Sequence, residues 1–265
     1  IDDLYGSALR RQRDIPDEIV LEVKDICDTK GFVRNCSFQV KKGEILGVSG
    51  LVGAGRTELM RCVFGIDKRS KGTVVFRGKE VKPDSITASI SAGMGFLSEK
   101  RKEEGLHQEM SIIQNLNMVV CAVSRSWMVN WKKEAENCVN VVDMLKVKIG
   151  EPYNKISSLS GGNQQKILLG KWLLSGPKLL IIDEPTRGID VASKSEIYGI
   201  LRELAEKGIS IIMISSEINE ILGVTDRTLV VRDGRITASL KTDQTTEEEI
   251  GYYSTIGDVR GEEAS

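Results

Sequence analysis

The chain has a single histidine, His107, and its five cysteines (Cys27, Cys36, Cys62, Cys121 and Cys138) form no CxxC pair. A structural zinc site needs a cluster of such ligands, and a disulfide framework needs a dense, evenly matched set. Neither is expected here, and free thiols in a reducing compartment are. Charge of one sign is also missing, since 37 Lys+Arg against 38 Asp+Glu leave a formal net charge of -1. A nucleic-acid binder carries a basic excess or stripe, so no nucleic-acid partner is expected. No apolar run approaches the roughly 18 residues that span a bilayer, and no signal peptide opens the chain. The longest apolar runs are strand-sized, such as Leu179-Leu180-Ile181-Ile182. A soluble chain is expected, with any membrane role coming through a partner. The chain starts at Ile1 rather than Met on a charged, aperiodic lead, and is expected to be cut from a longer polypeptide.

What is present is 40% hydrophobic residues over 265 positions, enough for one large core or two unequal lobes. Residues 1–18 are polar and aperiodic and read as a linker from a preceding domain. IVLEVKDI alternates like a half-buried strand; ILGVSG is short, apolar and stops at glycine; TELMRCVFG has helical spacing; GTVVFRG is a strand again. From about 100 to 168 the pattern turns helical, in SIIQNLNMVV and KEAENCVNVVDMLKVK, which predicts a helical subdomain inserted into the sheet domain. Alternation then resumes through the helix GGNQQKILLGKWLLS, the strand KLLIID, the helix SKSEIYGILRELAEKG, the strand SIIMIS, the helix EINEILG and the run RTLVVRDGRIT. Fully apolar short strands separated by helices predict an α/β fold with a mostly parallel, covered sheet. Residues 241–265 are acidic and read as a partly loose tail.

The segment GVSGLVGAGRT sets Gly50, Gly53, Gly55, Arg56 and Thr57 between a strand and a helix. This is the spacing of a Walker A phosphate loop with Arg56 in the lysine position. Glycines let backbone N–H groups turn inward around a phosphate, and the helix N-terminus adds partial positive charge. The Thr57 hydroxyl would hold Mg²⁺. An ordinary glycine-rich turn before a helix is the plainer reading of the same residues. Arginine is planar and forked where lysine is a compact point charge, so binding with weak hydrolysis is expected.

Two further runs follow in order. Leu159-Ser160-Gly161-Gly162-Asn163-Gln164-Gln165-Lys166 presents a hydroxyl and bare N–H groups at a helix start, an arrangement that suits an anion or a simple serine cap. Lys178 to Pro185 is an apolar strand ending in Asp183 and Glu184, where Asp183 would bind Mg²⁺ through water and Glu184 would act as general base.

With these three motifs in this order the sequence resembles the ATP-binding cassette family across nearly all of residues 19–240. LSGG is similar to the family signature, and Asp190 in TRGID matches its D-loop aspartate. The resemblance implies a P-loop α/β cassette with a mostly parallel core sheet, an antiparallel β lobe and an inserted helical subdomain. It implies ATP and Mg²⁺ as ligands, with phosphate-loop contacts over Gly50, Gly53, Ala54, Gly55, Arg56, Thr57 and Glu58. It also implies head-to-tail pairing with a second cassette, whose site is completed by Ser160, Gly161, Gly162 and Gln164. Phe32, the nearest aromatic upstream of the loop, would be an adenine platform or equally a core residue.

Two departures narrow the resemblance. Glu99 stands where the family carries a Mg²⁺-touching glutamine, and Ser216 stands where it carries a switch histidine. His107 lies elsewhere in sequence and reads as a surface residue. GLVGAGRTEL, SEKRKEEGL, LSGGNQQK, DEPTRGIDV and ISSEINEIL together look like the second cassette of bacterial monosaccharide importers. That likeness implies a tandem partner cassette, membrane permease subunits docking around residues 96–125 and, indirectly, a periplasmic sugar-binding protein. It implies a peripheral place on the cytoplasmic face of the inner membrane, and it makes this phosphate loop part of a degenerate site. A soluble cassette acting on ribosomes or DNA would be expected to show basic inserts or coiled-coil arms, which the sequence lacks. A nucleotide-gated interaction module that never turns over is the other alternative.

Overall fold

The structure is a computed structural model that describes residues 13–124 and 130–256. Residues 1–12, 125–129 and 257–265 lie outside the described set, and with them most of the expected linker and the end of the expected tail.

Two sheets organise the chain. The larger has six strands in the order β10-β9-β3-β8-β7-β6: Arg235–Lys241, Arg227–Arg232, Ile45–Ser49, Ser210–Ile214, Leu179–Asp183 and Met94–Leu97. All neighbours are parallel except the edge pair β9/β10. Every residue of β3, β6, β7 and β8 is buried. A parallel sheet covered by helices on both faces needs such strands, and this is why they read as continuous apolar runs. The register sets the strand ends level: Val48 and Asp183 both pair with Ile214, and Ser49 pairs with Val230. The chain segments leaving β3, β7 and β8 therefore emerge side by side at the carboxyl edge, the usual place for a ligand in such a sheet.

The second sheet is antiparallel, ordered β2-β1-β4-β5: Cys36–Lys41, Ile19–Asp28, Arg69–Phe76 and Lys79–Glu80. The antiparallel lobe is as expected, although β2 carries no strong signal of its own and forms by pairing along β1.

The described elements between β6 and β7 are all helical. They are a π-helical turn Arg101–Gly105, helices Ile112–Val123, Trp131–Met144 and Gly161–Leu173, and a 3₁₀ turn Ile156–Ser158. Ser111 opens the first helix with a capping box through Gln114, and Asn130 caps the second. The expected boundary near 168 falls inside helix Gly161–Leu173. That helix continues because it is buried along most of its length and packs against both the helical segment and the sheet. Phe64, Phe96 and Trp172 stack around this joint, with centroids 5.4 and 6.1 Å from Phe64.

The end of the chain resolves into defined elements. RTLVVRDGRIT is two strands, turned at Asp233 and Gly234, both in the left-handed region (φ 50° and 74°). The stretch expected to be a partly loose tail is helical over Glu247–Thr255, and its last residues lie outside the described set. A 3₁₀ turn Thr242–Gln244 leads to helix Glu247–Thr255, capped by Thr246. Ile250 is fully buried, and the Tyr253 carbonyl accepts from Thr237 (3.0 Å). Three glutamates in the first turn suit the positive end of that helix, so the acidic run marks a helix start.

At the opposite, amino edge of the core sheet, Arg13 forks onto Asp226 (Nε–Oδ1 3.1 Å) and donates to the Gly43 carbonyl (2.7 Å). Asp226 also accepts the Ile45 N–H (2.7 Å). Beside it the buried Glu44 carboxylate is paired with Arg227 (2.7 Å).

Candidate nucleotide-binding site

The loop after β3 is held open by backbone geometry. Gly50 has φ 147°, and a Cβ there would lie 2.2 Å from the Val231 carbonyl oxygen. Gly55 has φ 97° and ends the loop as the N-cap of helix Arg56–Phe64. Only glycine fits both positions. The loop is braced from one side: the Gly234 N–H donates to the Ala54 carbonyl (2.8 Å), and the Ala54 N–H to the Leu51 carbonyl (3.0 Å). Gly234, in the β9–β10 turn, is a support that sequence reasoning missed. Its Asp-Gly turn signal was legible, but its contact with the loop was not.

The Thr57 hydroxyl donates to Asp183 Oδ2 (2.9 Å) across 126 residues of sequence. The other oxygen, Asp183 Oδ1, is buried without a hydrogen-bond partner. Burial pushes the Asp183 carboxyl up to about 6, against the Thr57 hydrogen bond, which lowers it. An orphaned buried carboxylate oxygen next to a hydroxyl is a hard oxygen donor pair, and these residues fit Mg²⁺. Glu184 follows in the left-handed conformation (φ 48°), a strained state that turns its carboxylate back across the strand ends. Its Oε1 accepts the Ser216 N–H (2.8 Å), while burial raises its carboxyl above the ordinary range.

Arg56 is buried. Its guanidinium donates to the Ser215 carbonyl (2.7 Å) and lies 3.7 Å from Glu184 Oε1. The loop's only cation is thus engaged with the chain's own carbonyl and carboxylate. Ser216 reaches Glu184 through its backbone N–H as well as its side chain, and sequence reasoning did not foresee the backbone contact. Glu58, in the first turn of the loop helix, is half-buried.

Three expected residues are engaged or placed differently from the rest. Glu99 is ion-paired with Arg187, and among the described residues no hydrogen bond joins it to Thr57 or Asp183. Phe32 is 54% exposed, so it is not a core residue; its carbonyl lies against the loop near Gly55. Gln164 is turned inward and donates to the Ile156 and Leu159 carbonyls (3.3 and 3.1 Å). Its amide braces the turn ahead of helix Gly161–Leu173, and the side chain is buried. His107 is exposed, as expected.

Ser160 caps helix Gly161–Leu173, accepting the Asn163 N–H. Gly161 is closely approached, with the Gly188 carbonyl 3.3 Å and the Arg101 guanidinium 3.4 Å from where a Cβ would stand. Asp190 caps helix Val191–Glu206 through the Ser193 N–H (3.0 Å). Ser160 and Asp190 both lead exposed turns. Leu51, Val52 and Val191 are 56%, 89% and 59% exposed.

Residues 33–187 match the family model described as ABC transporter. The chain is 43% identical over 243 residues to the ribose import ATP-binding protein RbsA of Bacillus licheniformis, covering 91% of this chain and 49% of that protein. It is 46% identical over 233 residues to a putative ribose/galactose/methyl galactoside import ATP-binding protein of Rhizobium etli, covering 87% and 45%. The chain therefore spans about half the length of these curated relatives. Among solved structures it resembles a dimeric, post-hydrolysis ATP-binding cassette bound to ADP and Pi (TM-score 0.74, 19% identity, 84% of this chain and 98% of that one). It also resembles a nucleotide-free cassette from an ABC transporter (TM-score 0.74, 22% identity, 89% and 94%). Identities this low speak for the fold alone.

Proposed function

This chain belongs to the ABC transporter family, and from that premise we propose that it is an energy-coupling ATPase cassette of a carbohydrate importer whose phosphate loop binds MgATP and turns it over slowly. One observation carries the nucleotide part: Thr57, Asp183 and Glu184 converge on the open glycine loop at one sheet edge. The carbohydrate part rests on relatives that are sugar-import ATP-binding proteins.

The chain's own groups divide the work. Backbone N–H groups of residues 53–57 would wrap phosphate oxygens, and the helix start at Arg56 would add its dipole. Thr57 and Asp183 would hold Mg²⁺, which would supply charge neutralisation at the phosphates. Glu184 orients the attacking water and takes its proton at Oε1 or Oε2. Slow turnover follows from Arg56. To reach a phosphate, the guanidinium must leave Ser215 and Glu184, and while it stays it lowers the basicity of the general base. Ser216 offers a hydroxyl where the family has an imidazole. Glu99, paired with Arg187, would contact Mg²⁺ only after that pair opens. Ser160, Gly161 and Gly162, with Asp190, serve the site of a second cassette in head-to-tail pairing. The cassette works with permease subunits at the cytoplasmic membrane face and, through them, with a sugar-binding protein outside.

The test has two arms. A fluorescent ATP analogue with Mg²⁺ should bind the chain, and Thr57→Ala should weaken binding by about tenfold, the scale of losing a ligand to a bound ion. Failure to bind would sink the nucleotide reading. Turnover should be slow and should fall further in Glu184→Gln; fast multiple turnover would refute the slow-site claim alone. Co-purification with permease subunits tests the transport part.

A further inference from the structure

The turns leaving β7 and β8 both meet the candidate site, and one buried carboxylate grips both. We propose that Glu220 is a positioning residue of the nucleotide site. It locks the turn carrying Ser215 and Ser216 to the turn carrying Glu184 and Thr186, and to the helix headed by Asp190. The proposal rests on the MgATP reading above and adds how movement at the loop reaches the turn that would face a second cassette.

Glu220 lies in helix Ile218–Val224 and is 1% exposed. Its Oε1 accepts from the Thr186 hydroxyl (2.5 Å) and the Lys194 ammonium (2.9 Å), and its Oε2 accepts from the Ser215 hydroxyl (2.8 Å). Each donor sits on a different segment: Thr186 after β7, Lys194 in helix Val191–Glu206, Ser215 after β8. The Tyr198 hydroxyl, one turn along the same helix, donates to Thr186 (3.3 Å). Lys194 also reaches Glu217 (2.6 Å), whose N–H donates to the Ser215 hydroxyl (3.0 Å). Filling space would call for an apolar side chain such as the neighbouring Ile221 and Val224. A carboxylate is retained in such a place only when several donors meet it, and these donors are arranged around the site.

Ser215 is the link to the nucleotide. Its carbonyl accepts from Arg56 while its hydroxyl is bound to Glu220, and the next N–H, on Ser216, holds Glu184. When Arg56 leaves Ser215 for a phosphate, the turn loses one of its holds. Glu220 then either keeps Ser216 on Glu184 or carries the shift to Thr186 and the helix behind Asp190. Without the Glu220 lock, Glu184 loses its orientation while the phosphate loop, which Glu220 does not touch, still binds.

The experiment compares the 265-residue chain with Glu220→Gln, Thr186→Val and Thr186→Ser. It measures affinity for a fluorescent ATP analogue with Mg²⁺, single-turnover hydrolysis of MgATP, and backbone hydrogen exchange. Glu220→Gln should leave affinity within about threefold and lower the single-turnover rate by about tenfold or more, a loss in the chemical step and not in binding. Exchange should speed up in 184–194 and in 214–221 together. Thr186→Val should reproduce these changes, and Thr186→Ser, which keeps the hydroxyl, should not. Faster exchange confined to 214–221, or rate and affinity falling together with the melting temperature, would overturn the proposal. If wild-type turnover is too slow to time, the exchange pattern decides. A wild-type chain that binds no MgATP refutes the nucleotide reading, and the exchange pattern still decides whether the lock exists.

Discussion

Arg56 carries most of the difference between this site and a phosphate loop with lysine, and its cost can be put on a scale. Hydrogen bonds involving a charged partner contribute about 1.5–3 kcal/mol. Leaving the Ser215 carbonyl and the Glu184 carboxylate opposes phosphate binding by an amount of that order. A lysine has one ammonium and no fork, so it cannot hold both partners in that geometry. Arg56→Lys is therefore expected to tighten MgATP binding by about tenfold, about 1.4 kcal/mol, as read by titration with a fluorescent analogue. An unchanged affinity would show that the guanidinium contacts do not compete with nucleotide. Sequence spacing alone exposed Arg56, Thr57, Asp183 and Glu184, because each stands at a fixed offset from glycines or from the end of an apolar strand. It could not expose where Arg56 points, nor the roles of Ser215 and Thr186. Those depend on two strands separated by the 16-residue helix Val191–Glu206 lying side by side.

Among the elements, helix Gly161–Leu173 does the most structural work, and two glycines show how local environment decides the sign of one substitution. A Cβ on Gly170 would stand 2.2 Å from Val141 Cγ1 and 3.2 Å from Leu116 Cδ2, where three helices meet. Helix propensity alone favours alanine by about 1 kcal/mol, but overpacking costs about 1–3 kcal/mol. Gly170→Ala should lower the urea midpoint. Gly199, inside helix Val191–Glu206, has nothing within 4 Å, and Gly199→Ala should raise the midpoint, corresponding to a gain of about 0.5–1 kcal/mol in unfolding free energy. The same contrast explains what was legible at this scale. The long helices and buried strands announce themselves by period. The terminal helix Glu247–Thr255 is harder to read because its three leading glutamates dominate the composition. The informative features were the Thr246 cap and the three-residue spacing of Ile250 and Tyr253, both of which were in the sequence.

At the scale of the whole molecule, stability is tied to pH through a cation inside the joint between sheet and helices. Lys171 is 6% exposed and donates to the Gly105 carbonyl of the π-helical turn. Burial pulls its ammonium down to about 8 from an ordinary 10.5. Below about 8 both folded and unfolded chains hold the proton, and the fold carries the full burial penalty. Between about 8 and 10.5 the folded chain has lost a proton that the unfolded chain keeps, so this group makes stability rise with pH, by up to about 1.4 kcal/mol per unit. The buried Cys36 and Cys62 thiols, pushed up to about 11 and about 12, act in the opposite direction above 9. Subtracting a Lys171→Met variant isolates the lysine. The stability of wild type minus variant should climb between pH 8 and 9.5 in denaturant titrations. A flat difference would mean the ammonium stays charged in the fold.

The Arg13 clasp has a mechanical consequence. Tension along the chain ahead of residue 13 meets the Asp226 carboxylate and the Gly43 carbonyl before it meets the first strand. Asp226 is bonded to Ile45, the residue that begins the strand leading to the phosphate loop. A pull at Arg13 is thus delivered first to the root of that strand, at the far end from the loop, and next to Lys41 and Lys42 through Asp17 and Glu18. The segment entering at Arg13 is thereby fastened to the floor of the core sheet a few residues before it enters the outer lobe at Ile19.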